Sequence, residues 1–122
     1  MHYAKKGECA RLAGVEYETT EKPSMSGQAW ARKWGAGWHE DGSCGYEAVT
    51  PPCAGSKINE CLTELVQVIG PTNSRCGIHV HVDAVDYTWS DMYRLLDVFA
   101  RIEPLLFLLG GQQRIANSYC VP

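Results

Sequence analysis

The chain has 122 residues, 45% of them apolar and 20% charged, with a formal net charge of -3. That length allows one domain with a real core, and that balance excludes both a disordered chain and a basic nucleic-acid surface, since no Lys/Arg run exceeds Lys5-Lys6. The longest apolar run, 105–109, is far too short to span a bilayer, and the first residues lack the apolar segment of a signal peptide, so neither a membrane protein nor a secreted one is expected.

Residues 1–11 are polar and weakly patterned, as in an irregular arm. Over 12–19, Val15, Tyr17 and Thr19 alternate with Glu16 and Glu18, the period of a half-buried strand with two carboxylates on one face. Solvated glutamates on an exposed strand would fit. So would a divalent cation, which would remove the repulsion between like charges two residues apart and the poor fit of Glu to strands. Residues 20–27 carry Pro, Ser and Gly and predict a loop, 28–33 a short helix or extended piece, and 34–39 a glycine-interrupted strand containing Trp34 and Trp38.

Asp41-Gly42 predicts a hairpin turn, with the return strand over 46–50 carrying Glu47 and stopped by Pro51-Pro52. Asp41 is assigned to the turn in preference to catalysis. Ser56 is the expected N-cap of a helix whose apolar stripe is Ile58, Cys61, Leu62, Leu65, Val66 and Ile69, ended by Gly70-Pro71. Glu60, Glu64 and Gln67 form its wet face.

The stretch Cys76-Gly77-Ile78-His79-Val80-His81-Val82-Asp83 alternates strictly. Ile78, Val80 and Val82 are expected to face a core, and His79, His81 and Asp83 to face the other way. Two imidazoles at that spacing stand about 6 to 7 Å apart and can enter one polar site. A second helix follows, with Thr88 and Asp91 as a capping box. Its predicted buried stripe is Met92, Leu95, Leu96, Phe99, Ile102, Leu106 and Leu109, with a kink or break at Pro104 and a stop at Gly110-Gly111. Residues 112–122 are polar; Arg114 is the one strong charge there, either solvated or clamping an anion.

The six cysteines are Cys9, Cys44, Cys53, Cys61, Cys76 and Cys120. None forms a C-x-x-C pair, which argues against structural zinc, and without a signal peptide a reduced, cytoplasmic chain is expected. Cys76 and Cys120 flank the polar segments and are the pair to examine for proximity.

If the strands pair antiparallel with helices packed on one face, an α+β arrangement, then Glu16, Glu18, Glu47, His79 and His81 share the other face. Carboxylates with one or two imidazoles suit Mg²⁺ or Mn²⁺, the cations of phosphoryl transfer from ATP. No Gly-x-x-x-x-Gly-Lys loop is present, so metals and Arg would have to hold the nucleotide.

Gly14-Val15-Glu16-Tyr17-Glu18 and Cys76-Gly77-Ile78-His79-Val80-His81 resemble the metal strands of the glutamine synthetase fold. With Trp38, Asp41-Gly42-Ser43, Glu47-Ala48-Val49-Thr50-Pro51-Pro52 and Arg114…Asn117-Ser118-Tyr119-Cys120, the ordered set resembles the amidoligase family from Gly14 to Pro122. The resemblance implies one domain over 1–122 with a glutamine synthetase-like fold. It also implies an ATP- and Mg²⁺-dependent ligase that joins a carboxylate to an amine through an acyl phosphate. Glu16, Glu18, Glu47 and His79 would bind metal, His81 and Arg114 the nucleotide phosphates, and Glu47, His81 and Arg114 would serve catalysis. Small-molecule or peptide carboxylates and amines are the expected substrates.

Family members continue past the Tyr-Cys segment into a strand with a Glu-x-Arg motif, so this chain is expected to be a shortened member. A second protein or subunit would then complete the site. The alternative is a non-catalytic scaffold serving as a binding or inhibitor protein, of the kind a phage could encode. A His/carboxylate metal hydrolase is weaker, because only His39 and His2 remain to supply further imidazoles.

Overall fold

The computed structural model describes residues 9–111. These fall into two compact units that meet in sequence between Asp83 and Ala84. The first contains β1 (Cys9–Thr19), α1 (Met25–Trp34), β2 (Gly37–Asp41), β3 (Gly45–Val49), β4 (Cys53–Gly55), α2 (Ser56–Val68) and β5 (Ile78–Val82); the second contains α3 (Trp89–Gly110).

The chain is α+β, built on a five-stranded antiparallel sheet centred on β1. One edge of β1 pairs with β3 over Glu16–Thr19 and with β4 nearer its start; the other pairs with β5 from Ala13 to Tyr17. β2 flanks β3. Since β4 and β5 both run antiparallel to β1, they are parallel to each other, and parallel strands need a crossover, which α2 supplies. The returning chain is tied to the end of β1, where Thr19 Oγ1 and Thr20 N both donate to Pro71 O, at 2.8 and 3.0 Å.

Helices α1 and α2 lie on the face of the sheet that carries Tyr17, Trp38 and Ala48. Trp30, Ala48, Cys61 and Leu65 form the buried cluster, with Tyr17 and Trp38 packed against it. The Trp30 ring meets Trp38 edge-on, centroids 6.2 Å apart, and its indole N–H donates to Cys61 O at 3.2 Å. Gly27 lets α1 pass this close: a Cβ there would lie 3.1 Å from the Trp38 ring. Lys33 and Trp34 both donate to the Glu64 carboxylate, at 2.6 and 2.8 Å, and tie α1 to α2.

Several expectations shift. The strand begins at Cys9, so residues 9–11 belong to β1 and not to an irregular arm. Ser24 caps α1 through the amide of Gly27, so the helix starts within the expected loop, and Gly35, at φ 65°, ends it. That stop moves the expected 34–39 strand to Gly37–Asp41. Strand β4 was not anticipated. The N-cap of α2 is Gly55, at φ 62°, and Ser56 is the first helical residue. Asp41 pairs with Gly45, so the turn holds Gly42, Ser43 and Cys44 where a two-residue Asp-Gly turn was expected. The Asp41 carboxylate accepts from the amides of Ser43 and Cys44 and from the Ser43 hydroxyl, the turn role expected of it.

Ile78, Val80 and Val82 pair with Tyr17, Val15 and Ala13, so they do point to the helix-bearing side, but all three are more than half exposed. In the second unit the capping box of Thr88 and Asp91 forms as expected. Helix α3 runs through Pro104 without breaking, and its apolar stripe is exposed where burial was expected. No described helix is long and apolar enough to cross a membrane.

Candidate functional site

Strand parity builds the site. With Tyr17 and Ala48 on the helix face, Glu16, Glu18 and Glu47 must occupy the opposite one. Register then aligns them into two rows. Glu18 pairs with Glu47, and Glu47 with His39; Glu16 pairs with His79 on one side and Val49 on the other, and Val49 with Gly37. His81 pairs with Gly14, which has no side chain to block the imidazole from leaning toward Glu16.

Glu16 stands between the two histidines. Its Oε2 lies 3.0 Å from His79 Nδ1 and its Oε1 3.1 Å from His81 Nε2. His79 Nε2 lies 3.5 Å from Glu18 Oε1, so one imidazole bridges two carboxylates. The hydrogen bond with His79 holds the Glu16 carboxyl below its usual range; partial burial opposes this and the charge of His81 supports it. The two imidazoles are open to solvent, with side chains 55% and 64% exposed.

Glu18 is different: it is buried, 7% exposed, at the junction of β1 and the start of β5. A buried carboxylate needs hydrogen bonds. Gly77 N donates to its Oε2 at 2.5 Å, while the Glu18 amide donates to Gly77 O at 3.1 Å. Arg75, two residues earlier, donates to the carbonyls of Gly42 and Ser43 and ties this junction to the β2–β3 turn.

The buried thiols fit no nucleophilic or metal role. Burial, and then the charge of Glu18, push the Cys44 thiol up; burial and the neighbouring Cys53 push Cys61 up to about 11. Asp83 extends the β5 ladder, its amide donating to Leu12 O at 2.8 Å and its carbonyl accepting from Arg11. Arg114 and Cys120 lie outside the described residues, and with them the expected phosphate contact and the pairing of Cys120 with Cys76.

The donor set suits a hard divalent cation: three carboxylates and two imidazoles on one face. Among the described residues, however, no three His, Cys, Asp or Glu side chains are arranged to hold a metal ion. The reason is local. The Glu16 oxygens are turned to ring nitrogens and one Glu18 oxygen to a backbone amide, so a cation would be exchanged against these hydrogen bonds.

His39, in sequence no more than a spare imidazole, is placed by the register opposite Glu47 on this face.

Residues 8–122 match the family model described as "Putative amidoligase enzyme". No curated protein and no solved structure matches the chain.

Proposed function

The chain belongs to the amidoligase family, and from that premise we propose that it is an ATP-dependent ligase that joins a carboxylate to an amine. The observation that carries this is the gathering of Glu16, Glu18, Glu47, His79 and His81 on one face of the sheet. In this proposal Glu16, Glu18, Glu47 and His79 hold Mg²⁺ or Mn²⁺. A bound divalent cation would neutralise charge on the phosphoryl group in flight.

The residues themselves do the rest. The exposed imidazole of His81 orients a phosphate oxygen of ATP, and Arg114 is a second phosphate contact. The substrate carboxylate attacks the γ-phosphorus and ADP leaves. The amine nitrogen then attacks the acyl carbon, the C–O bond to phosphate breaks, inorganic phosphate departs, and the nitrogen gives up a proton. In this proposal Glu47, which the register sets beside Glu18 on the central strands, serves catalysis as well as metal binding. The proposal extends to a glutamine synthetase-like fold, a cytoplasmic location suited to ATP and reduced thiols, and a further subunit or protein completing the site.

A second reading is favoured by one observation: no described group of three side chains is already set for a metal. It makes the chain a binding scaffold without turnover. Calorimetric titration of ATP, with and without Mg²⁺ or Mn²⁺, separates the two. Micromolar, metal-dependent binding is expected of the ligase; absence of binding would leave the scaffold.

A further inference from the structure

His39 ends the row Glu18–Glu47–His39 and is its one member that the ligase reading does not use. Its ring folds back over Gly37: a Cβ on Gly37 would come within 2.5 Å of His39 Nε2. The backbone at Gly37 has no positive φ, so the glycine is required for the room it leaves and not for its conformation. Gly37 pairs with Val49, Val49 with Glu16, and Glu16 with His79. The imidazole therefore lies over the same row as Glu16 and His79, with its backbone two strands from that of Glu16, about 10 Å at roughly 4.8 Å per strand. Val49 lies between them as an apolar floor.

We propose that His39 is the base that takes the proton from the attacking amine, and that the acceptor is a primary amine with a short alkyl group resting on Val49. This rests on the ligase reading. The reaction needs an unprotonated nitrogen, and Glu16, Glu18 and Glu47 are committed to cation and phosphate. A span of about 10 Å accommodates, in sequence, the acyl carbon near the carboxylates, the approaching nitrogen and a hydrogen bond to the base, each step being about 3 Å. As the nitrogen bonds to the acyl carbon and phosphate leaves with the electron pair of the broken C–O bond, the amine proton passes to the imidazole and then to solvent, to which the ring is open.

The test uses the full chain with Mg²⁺, ATP, an equimolar pool of the twenty common amino acids as carboxylate donors, and either methylamine or hydroxylamine as acceptor, read as phosphate release. Methylamine is protonated at neutral pH and needs the base; hydroxylamine is largely unprotonated. For His39→Gln the methylamine rate is expected to fall about a hundredfold and the hydroxylamine rate much less, with Mn²⁺ affinity unchanged. Gly37→Ala, which displaces the ring without removing it, should shift the ratio of the two acceptors in the same direction by about tenfold. An equal fall with both acceptors in both variants would overturn the role of His39. Wild-type protein that releases no amine-dependent phosphate would instead overturn the ligase reading for amino-acid donors, and the role of His39 with it.

Discussion

On one face of β1 and β3, Tyr17 and Ala48 lie under Trp30, Cys61 and Leu65, and contact area decides what is tolerated. One residue along each strand, on the other face, Glu18 is buried but 3.5 Å from the His79 ring and Glu47 pairs with His39, and charge and hydrogen bonding decide. The strands are shared, so both faces ride on the same backbone pairs, yet they respond to different perturbations. The helix face determines whether the sheet forms; the polar face determines what it holds. A change confined to one should leave the other's readout nearly intact.

The largest expected effect comes from the helix face. Leu65 is fully buried, so Leu65→Ala loses apolar contact and leaves a cavity, at about 3 kcal/mol. Urea unfolding measures it, and the folded fraction should bind Mn²⁺ as before. Loss of Mn²⁺ affinity in the still-folded protein would break the separation of the faces. The converse is Glu16→Gln with Glu18→Gln, which keeps side-chain size and one acceptor oxygen on each residue but removes both charges. Mn²⁺ affinity should fall about a hundredfold, equivalent to about 2.8 kcal/mol, with little change in the urea midpoint.

Thr50 tests the backbone that the faces share. Its Oγ1 accepts the Val15 amide at 2.8 Å and its own amide donates to Val15 O at 2.9 Å, just where β3 gives way to Pro51. Thr50→Val keeps the shape and orphans a buried N–H, at about 2 kcal/mol. Because Val15 immediately precedes Glu16 on β1, this variant should lower both the unfolding midpoint and Mn²⁺ affinity. An effect on stability alone would show that the carboxylates do not depend on this pairing.

Parity made the polar face legible in the sequence. Glu16 and Glu18, and His79 and His81, alternate with apolar residues, and alternation is enough to put each pair on one side of its strand. The family motifs supplied which strands belong together. What was not legible depended on register and on length. His39 escaped because an Asp41-Gly42 centre for the hairpin would have set it opposite Cys44. The turn instead spans Gly42, Ser43 and Cys44, gathered around the Asp41 carboxylate, and slides His39 to Glu47. Strand β4, Cys53–Gly55, is three residues long, too short for any period to show. The apolar residues of β5 face one side as the alternation requires, whereas α3 leaves its expected stripe exposed: periodicity gives direction only, and burial depends on what lies opposite.

The smallest expected effect lies at the rim of the helix face, where a charge borders the core. Glu64 accepts from the Lys33 ammonium and from the Trp34 indole, and these hydrogen bonds, that of Lys33 foremost, hold its carboxyl below the usual range against a small opposing desolvation. A group whose folded pKa is lowered stabilises above its unfolded value, and that contribution fades as pH falls through the folded one. Glu64→Gln keeps an acceptor for Trp34 and loses the charge. The wild type should therefore be slightly the more stable at neutral pH, with the gap closing in acid as Glu64 takes up a proton and becomes neutral like Gln. Salt should narrow the neutral-pH gap as well, since the pair is exposed. Paired urea midpoints at the two pH values measure this. A gap that persisted in acid would place the contribution in the packing of Trp34 against α2, and the rim would then belong to the contact-built face.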